Sequence, residues 1–470
     1  MDSGSSAARR RFAVVGAAAL LSSAAILWFA FPARGPRPDI VLFVWDTCRG
    51  DRVEANGYAR PTTPRLVDIA RGGVVFRRAF TPSPWTPPAH ASLFTGLLPR
   101  RHGLREAVGD RVRPGVPLLA STLRDAGYET VAFVANPQIS GVTGLDDGFE
   151  TVFRIYDTKL GKGVEGAVVA QVESWVARRR AQGGGGRPLF VFVNLMATHL
   201  PYTFDPDAMV RVHGDGSVEP AKDAVSRVDE QTANRVMFGG EKADAALLEP
   251  LSKGYDGAVC LADRATGEIL DLLKDAGIDG SDFLAVCGDH GENLGEHGEL
   301  GHIFSLHEPV LHVPLVVRWP GRLDGGRRED AQVRLHDLYP TLLAAAGVAV
   351  PEPCGSDAER LDASPLRPRL VVAEYGPPLT YEAEARASMP GAPESCFERF
   401  RDQSLAVREP DGAGARKYIR VTRHDPGAPP RVLRELLYDL AADPGETRNL
   451  LDGRDANERA TADRLHGLAK

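Results

Sequence analysis

Asp46, Thr86, Asp289 and His290 are the residues of this sequence whose types and settings suggest chemistry. Asp46 follows the apolar run Asp39–Trp45, and Asp289-His290 follow the apolar run Phe283–Cys287. A charged carboxylate at the end of a buried strand is unstable unless it is paired or bound to a metal. Two strand ends thus deliver two carboxylates and one imidazole. That donor set suits a divalent cation, and the histidine favours zinc or manganese over calcium or magnesium. Asp46 alone would read equally well as a helix cap; the three together read as a metal site. The segment Trp85-Thr86-Pro87-Pro88-Ala89-His90 leads into an Ala- and Leu-rich stretch, which marks a helix start at or near Thr86. A helix N-terminus attracts anions. Thr86 could be an ordinary helix N-cap. It could also be an alkoxide nucleophile, since a nearby dication lowers the pKa of a hydroxyl that is otherwise too weak.

These residues need a rigid frame. Asp39–Trp45, Val74–Phe80, Thr130–Asn136, Leu189–Leu195, Phe283–Cys287 and Val313–Val317 read as strands, several apolar throughout and so buried on both faces. Thr62–Arg71, Leu118–Ala126, Val168–Arg180, Tyr255–Ala276 and Leu338–Ala346 read as helices, most of them stopping at glycine. The alternation predicts an α/β fold, a doubly wound and mostly parallel sheet with helices on both faces. Sites on such sheets gather beyond the carboxyl ends of the strands. This catalytic domain is expected over 39–350. Residues 205–250 show no clear strand and read as an insertion able to cover the site as a lid. From Pro351 onward proline, glycine and aspartate rise and short strand-like runs appear at Leu370–Ala373, Ser404–Val407 and Lys417–Val421. A smaller C-terminal α+β domain is expected over 351–470, ending in a helix near Ala456–Ala469.

The chain has 470 residues, 43% hydrophobic and 25% charged, with a net charge of −7. That balance excludes a chain disordered throughout and a multi-span membrane protein. It shows no basic excess, so nucleic acid is not an expected partner. Residues 1–38 read as an address and linker. Arg9, Arg10 and Arg11 precede the uncharged run Phe12–Ala33, long enough to span a bilayer as a helix. Positive charge on its N-terminal side leaves the rest of the chain outside the cytoplasm. Trp28, Phe29 and Phe31 suit the membrane interface. A retained membrane anchor is favoured, with a cleaved signal, including a loose twin-arginine type, as the alternative. Export implies an oxidising compartment. There Cys354 and Cys396 could pair, whereas Cys48, Cys260 and Cys287 read as buried small residues.

Six landmarks in a fixed order give the sequence a family resemblance. They are Asp46-Thr47-Cys48-Arg49-Gly50-Asp51-Arg52; Trp85–Gly96 with Pro99-Arg100-Arg101-His102-Gly103; His199-Leu200-Pro201-Tyr202; Gly288–Glu292 through Gly295-Glu296-His297-Gly298, then His302 and Val313-Pro314-Leu315; Asp337–Leu342; and Leu437–Leu440 with Asp443-Pro444 and Asn449-Leu450. Over about residues 39–451 the chain resembles the sulfatase family of the alkaline phosphatase superfamily. The resemblance implies the same sheet and smaller C-terminal domain.

The departures from the family pattern decide the expected chemistry. Sulfatases of the family carry Cys-x-Pro-x-Arg, whose cysteine becomes formylglycine; here the register reads Thr86-Pro87-Pro88-Ala89-His90. Threonine cannot become formylglycine. His90 stands at the family's arginine, and His302 at the lysine that supports the anion. The usual pair of aspartates after the first strand is Asp46 alone, and the late Asp-Asn pair is Asp289-His290. A threonine nucleophile with this ligand set is similar to phosphoryl-transfer members of the superfamily, including phosphonate or phosphate-ester hydrolases and phosphoglycerol transferases. Asn194–His199 lacks the further aspartate of two-metal members, so one divalent ion (Mn, Zn or Ca) is expected on Asp46, Thr86, Asp289 and His290. Thr86 would attack a phosphate, phosphonate or sulfate ester in line. His199, His302 and His90 would orient the anion and protonate the leaving oxygen. A sulfuric ester hydrolase without formylglycine and an inactive binding protein are the alternatives. An anchored, exported enzyme would meet lipid head groups or envelope polymers. His297, His307 and His312 read as structural hydrogen-bonders.

Overall fold

The computed structural model describes residues 37–105, 110–157, 163–228, 230–238, 242–278, 282–367, 369–377, 379–410, 412 and 415–469. The Phe12–Ala33 run lies outside these. Among the described residues no helix is long and apolar enough to cross a membrane.

The central sheet has eight strands: β1 (Ile40–Trp45), β2 (Val74–Phe76), β3 (Glu129–Val134), β4 (Thr151–Arg154), β5 (Leu189–Leu195), β6 (Phe283–Gly288), β7 (Leu315–Arg318) and β8 (Arg327–Glu329). Their order is β8-β2-β7-β6-β1-β5-β3-β4. The run from β6 to β4 is parallel throughout, and β7 is antiparallel to both neighbours. Side chains of β1 alternate between two buried layers. Val41, Phe43 and Trp45 enter one core cluster, and Ile40, Leu42 and Val44 enter the other. A strand covered on both faces must be apolar at every position, which is the pattern Asp39–Trp45 showed.

The expected Val74–Phe80 strand is two pieces. A turn at Arg77-Arg78 separates β2 from a short strand, Ala79–Phe80, which pairs outside the central sheet. Among the described residues of 205–250 there are helices at Pro206–His213, Val218–Arg227 and Glu230–Met237. The long helix runs Ala245–Asp275, beginning well before Tyr255, because the Asp244 carboxylate caps it by accepting from the Ala246 N–H. The C-terminal part forms an antiparallel sheet, β9 (Val371–Tyr375), β10 (Asp402–Arg408), β11 (Arg416–Arg423) and β12 (Arg431–Asp439), against a helix at Ala456–Leu468. Strand β12 had no apolar signature because its first half is largely solvent-exposed. Phe80 and Trp85 share one hydrophobic cluster with Ala373, Tyr375 and Ala406 of this sheet.

Cys354 and Cys396, which the sequence left as a possible pair, are both free thiols. Cys354 is buried and donates to the Pro117 carbonyl at 3.2 Å, in one core cluster; Cys396 packs against another. A bridge between separate cores would need backbone movement.

Two buried histidines make stability depend on pH. His102 lies between Ser92 Oγ (3.0 Å) and the Leu104 N–H (3.2 Å), and burial pushes its pKa down to about 3. Burial, then Arg334, pushes His336 down to about 4. The unfolded chain takes up these protons below about pH 6.5 while the folded chain does not, so stability is complete above that pH and falls on acidification. The expected loss is about 1.4 kcal/mol per pH unit per histidine between pH 6.5 and 4. Urea titrations at pH 7, 6 and 5 measure it, and His102→Asn should flatten the slope.

Candidate metal and nucleophile site

β1 lies between β5 and β6, with Trp45 level with Leu195 on one side and Gly288 on the other. Asp46 and Asp289 therefore leave the sheet side by side at its carboxyl edge. Oxygen and nitrogen atoms of Asp46, Asp289 and His290 come within 4.8 Å of one another, all fully buried. Thr86 is the first residue of the helix Thr86–Thr95, and its Oγ1 stands 3.5 Å from Asp46 Oδ1 and 3.4 Å from His290 Nε2. The four residues expected to act together are thus brought together.

The donor set fits a divalent cation. Asp289 Oδ1 accepts the N–H groups of Thr47 (3.0 Å) and His290 (2.8 Å), while its buried Oδ2 has no hydrogen-bond partner. His290 Nδ1 lies 3.1 Å from the Gly291 carbonyl, an interaction that places the proton on Nδ1 and leaves the Nε2 lone pair facing the cluster. Burial, then the neighbouring Asp46 carboxylate, pushes Asp289 well above the usual carboxylate range; burial, then His302, pushes His290 well below the usual imidazole range. Two buried carboxylates so close are stable together only with positive charge between them.

The loop after β1 is held under strain. Thr47 has a left-handed backbone, φ 58°. Its carbonyl accepts from the Tyr255 hydroxyl at 2.6 Å, its N–H donates to Asp289, and its hydroxyl bonds the Thr198 carbonyl. Such strain persists only where surroundings over-determine it, and here it aims Asp46. Gly291 is required for a different reason: a Cβ there would lie 2.0 Å from the Pro309 carbonyl.

Two asparagines complete the cluster, and sequence reading missed both. Asn136 Nδ2, two residues past β3, donates to Asp46 Oδ2 at 2.8 Å and lies 3.3 Å from Thr86 Oγ1. Asn194 Oδ1 accepts the Ala135 and Asn136 N–H groups at 3.2 and 2.8 Å, and its Nδ2 reaches Asp46 Oδ2 at 3.4 Å. A signal existed for Asn194: it is the single polar residue of LFVFVNL, and a buried amide demands partners. Asn136→Ala is expected to lower kcat about ten- to a hundredfold with little change in KM, because it frees both Asp46 and Thr86. Steady-state kinetics at saturating metal check this.

The histidines divide. His290, His302 and His199 run in a row, ring centroids 4.5 and 5.4 Å apart, and His302 and His199 line a cleft of about 430 Å³. His302 Nδ1 is 3.3 Å from Glu292 Oε1, a buried carboxylate whose role sequence reading did not find. His90 is elsewhere. Its Nδ1 lies 3.0 Å from the Thr86 carbonyl and 3.5 Å from Asp289 Oδ2, and its ring meets Phe94 and Phe192 edge-on. It does not line the cleft. His297 and His307 stack at 3.7 Å, and His312 Nε2 lies 2.8 Å from the Arg77 carbonyl. The helix N-terminus offers less to an anion than expected. Pro87 and Pro88 carry no N–H, so Thr86 supplies the one amide donor of the first three residues.

Two strand-end carboxylates and an imidazole able to hold a metal, beside a hydroxyl on a doubly wound sheet, fit the alkaline-phosphatase class of ester hydrolases. The sulfatase family model matches residues 38–348, and the chain belongs to that family. Choline-sulfatase of Rhizobium meliloti is 25% identical over 457 residues, covering 88% of this chain and 83% of that protein. The multifunctional alkaline phosphatase superfamily protein PehA of Trinickia caryophylli is 24% identical over 497 residues, covering 88% and 91%. Among solved structures, a 2-O GAG sulfatase aligns with TM-score 0.65 at 17% identity, covering 92% of each chain. The phosphonate monoester hydrolase of Agrobacterium radiobacter aligns with TM-score 0.63 at 21% identity, covering 91% of this chain and 93% of that one. The protein is thus a sulfatase-family ester hydrolase, with a buried acidic and histidine group consistent with the family's metal site.

Proposed function

We propose that the protein cleaves a phosphate, phosphonate or sulfate ester through a covalent adduct on Thr86, with one divalent cation on Asp46, Asp289, His290 and the Thr86 hydroxyl. The observation that carries this reading is the position of Thr86 Oγ1, within 3.5 Å of both Asp46 and His290. A dication bound there lowers the pKa of the hydroxyl and neutralises charge on the ester oxygen. Thr86 Oγ1, its proton released to water as the hydroxyl ionises, forms a bond to phosphorus or sulfur as the bond to the alcohol oxygen breaks. Asn136 holds Thr86 and Asp46 in register. His302, oriented by Glu292, and His199 lie on the cleft side, where one of them gives the alcohol oxygen its proton. Water, or an acceptor alcohol in a transferase, then displaces the adduct and frees Thr86.

His90 supports this arrangement from behind Asp289 by holding the first turn of the helix. The Phe12–Ala33 run, as a membrane anchor, places the enzyme outside the cytoplasm, near lipid head groups and envelope polymers. Fractionation of cells tests that part, and a soluble chain beginning after residue 33 would replace the anchor by a cleaved signal.

One relative is named choline-sulfatase and another a multifunctional alkaline phosphatase superfamily protein, so the acid is the open variable. A panel of nitrophenyl phosphate, phosphonate, phosphodiester and sulfate, each with Mn²⁺, Zn²⁺ or Ca²⁺ restored, decides it. Turnover of the sulfate alone would establish a sulfuric ester hydrolase that works without formylglycine. No turnover of any ester with any ion would leave a binding protein on this scaffold.

A further inference from the structure

We propose, resting on that reading, that the ester's alcohol is apolar and carries no further anionic group. The cleft beside Thr86 is walled by Trp85, Leu200, Ala233, Met237, Ile303 and Tyr381. Val142, 60% exposed and one of the large hydrophobic side chains left at the surface, also lines it. Among the described residues that line the cleft none is arginine or lysine; apart from His199 and His302, the ionisable carboxylates are Glu292 and Glu384. Glu292 is engaged with His302. Gln138, Ser140 and Thr143 also line the cleft and are neutral, so a sugar bearing a second sulfate or a carboxylate would place that charge where no guanidinium or ammonium meets it.

The apolar wall is a built feature. Ala233 and Met237 come from the helix Glu230–Met237 of the insertion, and Tyr381 from the helix Leu379–Ser388 of the C-terminal part. The Tyr381 hydroxyl donates to Asn234 Oδ1 at 2.9 Å, and Asn234 Nδ2 donates to Ser388 Oγ at 3.2 Å, with Asn234 itself buried. Behind them Phe238 stacks on Phe400 at 4.9 Å and meets Phe304 edge-on at 5.3 Å. The wall is therefore fixed before substrate arrives. The buried indole N–H of Trp85, next to Thr86 in sequence, has no partner and adds a neutral donor at the reacting end. A cleft of about 430 Å³ suits an aryl group or a short alkyl chain.

The test uses the metal-loaded enzyme and esters of whichever acid it cleaves. Methyl, butyl, hexyl and nitrophenyl esters are compared with a sulfated glycosaminoglycan disaccharide or its phosphorylated counterpart. The expected result is a rise in kcat/KM of about fourfold per methylene until the cleft fills, and a hundredfold preference for the hexyl and aryl esters over the disaccharide. Aryl preference over hexyl assigns a ring, and the reverse assigns a chain. Met237→Asp, and independently Ile303→Asn, should cut the increment per methylene to below twofold. A flat series, or faster cleavage of the disaccharide, overturns the proposal while leaving the esterase reading intact. Should no ester be cleaved, that reading fails instead. Calorimetry of butyl- and octylphosphonic acid with Thr86→Ala protein then decides this one: affinity that grows with chain length supports it, and equal affinity overturns it.

Discussion

Thr86→Ala should lower kcat on the order of 10⁴- to 10⁶-fold, while the fold and bound metal stay near normal. The reasoning is local. Thr86 is 1% exposed, and the groups within hydrogen-bond reach of its hydroxyl are those that would activate it, Asp46, His290 and Asn136. Removing the hydroxyl deletes one donor of four and a small volume, so circular dichroism and metal content should hardly move. Thr86→Ser should keep measurable turnover, because the nucleophilic oxygen survives at the same helix position. Acid quench during turnover should trap a phosphoryl, phosphonyl or sulfuryl group on Thr86 of the wild-type protein, read by mass spectrometry. Retained activity in Thr86→Ala would sink the nucleophile assignment.

Asp289→Asn should separate stability from function. Metal affinity is expected to fall more than a hundredfold and activity about a thousandfold, since a buried carboxylate donor disappears. The metal-free variant should nevertheless melt a few degrees above metal-free wild type, about 1–2 kcal/mol more stable. Without a cation, Asp289 must take up a proton to stay buried close to the Asp46 carboxylate, which costs stability at neutral pH, and an amide removes that cost. Added Mn²⁺ or Zn²⁺ should raise the melting temperature of wild type and leave the variant unmoved. Metal uptake should also depend on pH with a defined sign. Burial and Asp46 raise Asp289, so the metal-free protein holds a proton there that the cation must displace; apparent affinity therefore falls as pH falls. Scanning calorimetry with and without chelator reads all three effects.

The distribution of roles explains why deleting His90 and deleting His302 should differ in kind. His302 lines the cleft with Glu292 behind it, so its loss acts on the reacting ester. His90 holds the Thr86 carbonyl and stands beside Asp289, so its loss acts through helix and ligand geometry. The order of residues in the chain gave no hint of this, since the motif register only sets His90 at the family's arginine.

Local pattern carried the fold and the reactive core. Continuous apolar runs read as strands β1, β5 and β6 because a strand buried on both faces has no polar positions to spare. Charged residues at the ends of such runs, Asp46 and Asp289-His290, were conspicuous for the same reason, and the proline pair marked the helix that bears Thr86. Which side chains meet across the sheet was decided only by strand order. Asn136 and Asn194 reach Asp46 because β5 and β3 follow β1 in the sheet, a placement no window of sequence encodes. Tyr255 reaches Thr47 from a helix more than two hundred positions away, and Cys354 and Cys396 are kept apart by separate cores. The cleft wall likewise joins two distant helices through Tyr381 and Asn234. Periodicity records how each segment is buried; the packing of segments against one another depends on long-range contacts, and those contacts complete the candidate metal site and shape the cleft beside it.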